Sequence, residues 1–198
     1  FNIVNDIEVD EIKEYGLIEV DFFDKYMYVL SSLSLRDSLV YNDTILENYC
    51  VIDPSDGSKW YSAVSKFVLR YDMEAKKVVN AWRFGGTGNE HMRHGMQIDD
   101  FGNVIVSGTV ETLKWFTFDD IDTIQTAYYF TGFLGKYTGD GELIFGHLYN
   151  DAPGIDNIRA LPDGEDLYIW ADYKGDTLTM AGHTFDNREE DGTVDGEI

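Results

Sequence analysis

Residues 83–110 read RFGGTGNEHMRHGMQIDDFGNVIVSGTV, and this stretch decides the fold because versions of it occur three times. A second version is GIDNIRALPDGEDLYIWADY at 154–173, and a third is GLIEVDFFDKYMYVLSSL at 16–33. Each version has an apolar residue at its second position, passes through an acidic or glycine turn and closes on a β-rich run. Internal repetition of this kind determines the architecture before any single motif does.

The three versions align in register around one central strand. Ile105 aligns with Tyr168 without a gap, and in the same alignment Ile98 matches Leu161. Tyr28 aligns with Ile105 with one slip in the turn. The predicted blade-like repeats are therefore centred near 26–33, 103–110 and 166–173.

Two further modules repeat in the same order along the chain. KFVLRYDMEAKKVVNAWRFG at 66–85 matches GFLGKYTGDGELIFGHLYND at 132–151, with one extra residue in the first turn. LVYNDTILEN at 39–48 matches LTMAGHTFDN at 178–187 and, more loosely, WFTFDDIDTI at 115–124. Short runs of this type, bounded by Gly, Asp, Asn or Pro, predict β-strands. Four strands in each repeat predict an all-β fold made of β-propeller blades, each a four-stranded antiparallel sheet.

The predicted strands are separated by explicit turn sequences. Turns of this composition are DFGN at 100–103, GDG at 139–141, PDG at 162–164 and PSDG at 54–57. Glycine and Asn accept positive φ, and Asp accepts hydrogen bonds from nearby backbone amides. These positions are therefore predicted hairpin corners.

Residues 67–110, FVLRYDMEAKKVVNAWRFGGTGNEHMRHGMQIDDFGNVIVSGTV, resemble the bacterial-type β-propeller repeat called the SBBP repeat. The shared pattern is an apolar strand ending in basic-Tyr-Asp, then Phe-Gly-Gly-x-Gly-Asn, then Asp-x-x-Gly-Asn before an apolar strand. The second copy departs from it at 149–151, which read YND, and the insertion at 47–65 has no counterpart. The resemblance implies a β-propeller fold and an extracellular or cell-surface location, and it transfers no catalytic residue.

The number of repeats predicts an incomplete propeller. Residues 1–198 contain about three blades of one β-propeller domain, the last of them incomplete, whereas propellers close with roughly four to eight blades. An open stack leaves unpaired strand edges and a half-covered core. We therefore expect the remaining segments of the same propeller to complete it, or other protein chains to do so by association.

Composition excludes several classes of partner. The net charge is −22, from 15 basic and 37 acidic residues. Proteins that bind nucleic acid carry basic surfaces, and anionic membranes attract basic segments, so neither partner is expected. No apolar run approaches the ~18 residues of a membrane span.

Two single residues suggest covalent chemistry. Cys50 is the one cysteine, so it is either a small buried hydrophobe or the partner of a cysteine outside this segment. Asn42 begins the tripeptide Asn-Asp-Thr, which is either a chance match or an N-glycosylation site at a turn.

Candidate ligand-binding residues lie in segments that do not repeat. His91 and His94 follow Glu90 in a segment with metal-like composition, although no third ligand can be named and a plain loop accounts for it. Trp60 belongs to a set of aromatic residues that either stack on sugar rings at a rim or pack between blades. We therefore assign no catalytic residue, metal ligand or cofactor, and treat His91, His94 and Trp60 as candidates for a loop binding surface.

Calcium is a weaker candidate. The sequence DDID at 119–122 offers carboxylate oxygens, which Ca²⁺ prefers, but its spacing is wrong for an EF-hand loop and a solvated turn explains it as well.

The function predicted from these patterns is a non-enzymatic extracellular or cell-surface β-propeller module. It would act as a structural scaffold or as the protein- or glycan-binding part of a larger assembly. The first alternative is a secreted hydrolase or lyase with its site at the propeller channel. The expectation that Ile105, Val106, Tyr168 and Ile169 are apolar and packed disfavours that alternative. The second alternative is a Ca²⁺-stabilised adhesin.

Overall fold

The computed structural model describes most of the chain between residues 19 and 186. The described residues are 19–34, 38–41, 44–47, 51–52, 55, 57–60, 64–87, 89–91, 95–111, 115–119, 121–127, 130–149, 155–163, 166–173, 177–180 and 183–186. Over these residues the protein is all-β, with antiparallel sheets. None of the described residues belongs to a helix that could cross a membrane.

Nineteen strands lie within the described residues. In chain order they are β1 (Glu19–Phe23), β2 (Tyr26–Ser34), β3 (Ser38–Tyr41), β4 (Thr44–Glu47), β5 (Val51–Ile52), β6 (Lys59–Trp60), β7 (Val64–Asp72), β8 (Lys77–Gly86), β9 (Asn89–His91), β10 (Met96–Ile98), β11 (Val104–Glu111), β12 (Trp115–Thr117), β13 (Thr123–Gln125), β14 (Phe130–Tyr137), β15 (Leu143–Leu148), β16 (Ile155–Asp163), β17 (Asp166–Tyr173), β18 (Thr177–Met180) and β19 (His183–Asp186).

Two four-stranded antiparallel meanders share the same strand order. The first sheet consists of β1, β2, β7 and β8, and the second sheet of β10, β11, β14 and β15. Strand β9 pairs with β11 and makes one parallel pair, Asn89 with Val64, so backbone pairing connects the two sheets. The third repeat contributes an antiparallel hairpin, β16–β17.

The sheets stack face to face, and apolar side chains fill the space between them. We call the face of each sheet that points toward the next unit its forward face, and the opposite face its rear face. Between the first and second sheets lies the largest core cluster, in which Tyr28, Leu30 and Phe84 meet Val106 and Phe133. Side chains alternate across a strand, so Ile105 points the other way and packs with Leu134 against β16.

Strand β11 is covered on both of its faces. Its residues Val104 to Val110 are all buried, because one face packs on the first sheet and the other on the β16–β17 hairpin. A strand covered on both faces needs no polar side. The rear face of the first sheet holds a separate cluster of Phe67, Leu69, Val78 and Ala81.

The β16–β17 hairpin corrects one detail of the predicted register. The sequence alignment matched Ile98 with Leu161. In the structure Leu161 pairs with Tyr168, the counterpart of Ile105, whereas Ile105 itself pairs with Gln97 and Ile98 pairs with Val104. The offset of one residue arises in the turn. Five residues separate the paired residues Ile98 and Val104, whereas four separate the paired residues Pro162 and Leu167.

Each of the three LVYNDTILEN-like segments forms an accessory hairpin: β3–β4, β12–β13 and β18–β19. Each hairpin contributes an apolar side chain to the cluster on the rear side of its own unit: Leu46, Phe116 and Leu178 respectively. Strand β12 also pairs with the outer strand of the first sheet, Phe116 with Gly86 and Thr117 with Gly85. Both glycines are buried strand residues that this hairpin covers.

Candidate binding surface

Of the three residues proposed for a loop binding surface, the structure describes the backbone of Trp60 and His91. Trp60 lies in β6, paired with Val51, and His91 lies in β9, paired with Thr109. Strand β9 adjoins the second sheet, and β5–β6 is a separate two-stranded sheet. His91 was expected in a loop and is instead a strand residue. His94, Asn42 and Cys50 lie outside the described residues.

The side chain of Asp119 holds the turn that follows it. One carboxylate oxygen of Asp119 accepts hydrogen bonds from the amides of Ile121 and Asp122, both at 2.9 Å. This is the local bonding by which Asp stabilises turns. Among the described residues, no three His, Cys, Asp or Glu side chains come together as a metal-binding group.

The aromatic residues divide between packing and exposure. Trp82 is buried between the first and second sheets, 5.8 Å from the Tyr137 ring, and Phe84 lies 5.9 Å from Phe133. Trp170 in β17 is exposed. Packing between sheets therefore explains Trp82, whereas Trp170 is not packed in this way.

The junction between the first and second sheets shows how a forward face is covered. Two turns of the second sheet dock on aromatic rings: Gly102 against Phe23, and Gly141 against Trp82. At both glycines φ is positive, and a Cβ atom would come within 2.6 Å of the ring. Neither turn could approach its ring as closely with a larger residue.

Polar contacts surround this apolar junction. Backbone amides of Met96 and Ile98 in β10 donate to the carboxylates of Glu19 and Asp21 in β1, at 3.0 and 3.1 Å. Arg70 forms an ion pair with Asp140 and stacks 3.6 Å from the centre of the Tyr26 ring. The junction therefore has an apolar centre and a polar rim, the arrangement typical of protein interfaces.

The turn between β10 and β11 is held by a buried carboxylate. Asp99 accepts hydrogen bonds from the backbone amides of Phe101 and Asn103 and forms an ion pair with Lys136 at 2.8 Å. Burial opposes ionisation of Asp99, but the Lys136 ammonium and these donors outweigh it and hold the pKa of the carboxyl below 3.8. The turn that carries Gly102 is thus fixed by an ionised group.

The same repeat positions are covered in two units and uncovered in the third. Tyr28 and Ile105 are each 1% exposed, whereas their counterpart Tyr168 is 61% exposed. Two residues further along, Leu30 is 0% exposed and Trp170 is 46% exposed. The forward face of the β16–β17 hairpin therefore presents side chains that are buried at the equivalent points of the first two sheets.

Tyr168, Trp170 and Leu161 form this exposed forward face, which we call the aromatic face. Leu161 pairs with Tyr168 across the hairpin, and Trp170 follows on the same side of β17. On the opposite side, Leu167 and Ala171 pack against the cluster that contains Ile105.

One expectation about these strands was wrong in part. Ile105 and Val106 are buried, as expected, but Tyr168 and Ile169 were also expected to be packed and are 61% and 38% exposed. Tyr168 points to the forward side, where no described layer lies. Ile169 points to the covered side of the β16–β17 hairpin, where packing buries its side chain only in part.

Comparison of the chain with protein-family models, with curated proteins and with solved structures gave no match.

Proposed function

We propose that the chain is part of a non-enzymatic β-propeller-type module, located outside the cell or on its surface, that serves as a scaffold and binds protein within a larger assembly. The support for blades is the recurrence of a four-stranded meander with an accessory hairpin after its second strand. In propellers, each such sheet packs on its neighbours and rigid rims remain for binding. The location is supported by the resemblance to SBBP-type repeats.

One observation carries the binding role. Tyr168 and Trp170 are exposed at positions whose counterparts Tyr28 and Leu30 are buried under another sheet. Large apolar side chains grouped on one exposed face mark interaction sites. The aromatic face is therefore the surface on which this module joins a partner.

Site-specific photo-cross-linking tests this function. A photoreactive residue at position 168 is compared with one at position 121, because Ile121 is an exposed apolar residue far along the chain from the aromatic face. We expect a defined protein adduct at 168 and at least several-fold less at 121 when the protein is produced at a bacterial cell surface.

The adduct has then to be identified by mass spectrometry and remade from purified proteins. The Trp170→Ser variant should weaken that complex at least tenfold, because central aromatic residues dominate interface energies. Equal adducts at both positions, or a complex indifferent to Trp170, would contradict the proposal. Binding on a glycan array that is lost in Trp170→Ser would assign the face to glycan instead.

A further inference from the structure

Strand β15 is the last strand of the second sheet, and its outer edge holds no neighbour. Among the described residues, β15 pairs only with β14. Its counterpart β8 pairs on the outer side with β12 at Gly85 and Gly86, which correspond to positions 150 and 151, beyond the end of β15. A hairpin placed like β12 would therefore leave the edge along Leu143–Leu148 open.

One hydrogen bond fixes which backbone groups of β15 point outward. The amide of Tyr149 donates to the carbonyl of Gly132 at 2.9 Å, so Tyr149 faces β14. Along an antiparallel strand, residues alternate between those bonded to the neighbour and those facing away from it. The amides and carbonyls of Gly146 and Leu148 therefore point toward the open edge.

Other edge strands of the two sheets have backbone groups that polar side chains satisfy. The carboxylates of Glu19 and Asp21 accept hydrogen bonds from two amides of β10. On β8, the amide of Ala81 donates to the side chain of Asn80 at 2.8 Å. Strand β15, Leu143–Leu148, reads LIFGHL and carries no carboxylate, carboxamide, lysine or proline. Such residues are the usual means of blocking strand addition, and this edge lacks them.

The sequence of β15 is complementary to itself across a two-fold axis. With the axis at Gly146, the outward-facing residues meet each other, since Gly146 lies opposite its own copy and Leu148 lies opposite Ile144. Phe145 then lies opposite His147. Ile144 is 49% exposed, so its side chain is accessible to a second copy. Cross-strand pairs of branched and aromatic side chains stabilise antiparallel strands.

Charge also favours a second copy of the chain at this edge. Copies that each carry a net charge of −22 repel one another wherever acidic residues meet. In the register centred on Gly146, Glu142 lies opposite position 150, an asparagine, and β15 itself contains no acidic residue. Two copies can therefore approach along this edge without opposing carboxylates.

We propose that two copies of this chain pair through their β15 strands, antiparallel and related by a two-fold axis at Gly146, so that their second sheets join into one continuous sheet. The contact is isologous, because each copy contributes the same surface. It lies apart from the aromatic face and goes beyond the proposed function. An edge of 6 residues buries little surface, so the dimer belongs to the weak, concentration-dependent class.

Sedimentation equilibrium of the full chain, from micromolar to millimolar protein, tests the association. We expect a reversible dimer that Ile144→Lys weakens at least tenfold, because a lysine on an edge strand opposes pairing. Ile121→Lys makes the same change of charge at an exposed residue outside β15, and this matched control should leave the dimer unchanged. A monomer at millimolar protein, or a dimer that Ile144→Lys does not weaken, would overturn the inference.

Hydrogen exchange identifies the edge that pairs. As the protein concentration rises, the outward amides of Gly146 and Leu148 should exchange several-fold more slowly. The amide of His147 should not change, because it faces β14 at every concentration. Slower exchange in β17 instead of β15 would contradict the inference, and so would protection of Gly146 that does not depend on concentration, since the chain would then cover its own edge.

Disulfide trapping in a Cys50→Ser background tests the register. A mixture of Phe145→Cys and His147→Cys proteins should cross-link at least tenfold faster than Phe145→Cys alone, because directly opposed positions bring two Cβ atoms within bonding reach. Equal rates would overturn the inference. If Trp170→Ser dissociates the dimer and Ile144→Lys does not, the copies meet at the aromatic face, so the inference about β15 fails while the proposed function stands.

Discussion

The forward face of the first sheet and the forward face of the β16–β17 hairpin are built from equivalent positions, yet only one is covered. The first bears Tyr28 and Leu30 beneath the second sheet, and the other bears Tyr168 and Trp170 in contact with solvent. Both strands have aromatic and apolar residues at these positions. The difference teaches that burial here is conferred by the neighbouring layer and not by the strand itself.

The largest expected effect compares truncation at one repeat position in the two regions. Leu30→Ala should lower the free energy of unfolding by about 2–5 kcal/mol, because it leaves a cavity in the core between two sheets. Trp170→Ala should cost less than about 1 kcal/mol, as exposed substitutions do. Urea unfolding followed by circular dichroism measures both. Equal losses would mean that the aromatic face is already covered.

The next effect concerns the turn that helps to cover the first sheet. Asp99→Asn should cost about 1.5–3 kcal/mol at pH 7, the usual range for hydrogen bonds to a charged group. The folded pKa of Asp99 lies below its ordinary value of 3.8, so the ionised group stabilises the fold above pH 3.8. That contribution is lost as the pH falls through the folded pKa.

Urea unfolding at pH 7 and at several acid pH values checks this behaviour. The gap between the native protein and Asp99→Asn should narrow steadily below pH 3.8. Asp163→Asn, at an exposed turn of the uncovered hairpin, is the control and should show little change at any of these pH values. A constant gap would show that the charge of Asp99 is not what fixes the turn.

A somewhat smaller effect isolates the docking of a turn on an aromatic ring. Gly141 and Gly57 both have positive φ, but a Cβ atom meets Trp82 at 2.6 Å in the first case and no atom within 4 Å in the second. Both alanine variants share the backbone strain, so their difference reports the clash alone. Gly141→Ala should be less stable than Gly57→Ala by about 1–3 kcal/mol in thermal unfolding. Similar melting temperatures would show that the turn does not bear on the covered face.

The strands and corners of the fold could be predicted because their signals are local. The DFGN turn forms as expected, with Asp99 accepting amides of Phe101 and Asn103. The three accessory segments were recognised as one module and form three hairpins.

The candidate site could not be predicted in this way, because it depends on neighbours. Tyr168 and Ile105 occupy the same place in the same pattern, and nothing local distinguishes the exposed residue from the buried one. The pairing of β12 with Gly85 and Gly86 also joins parts of two repeats, which no turn signal specifies.

The β12–β13 hairpin belongs to the second repeat but closes the outer edge of the first sheet at Gly85 and Gly86. The segment that recurs in the sequence is therefore not the unit that folds. During synthesis at ~5–20 residues per second, the β8 edge stays open for a few seconds until this hairpin emerges. A chain without residues 115–125 would leave that edge of β8 exposed and prone to aggregation.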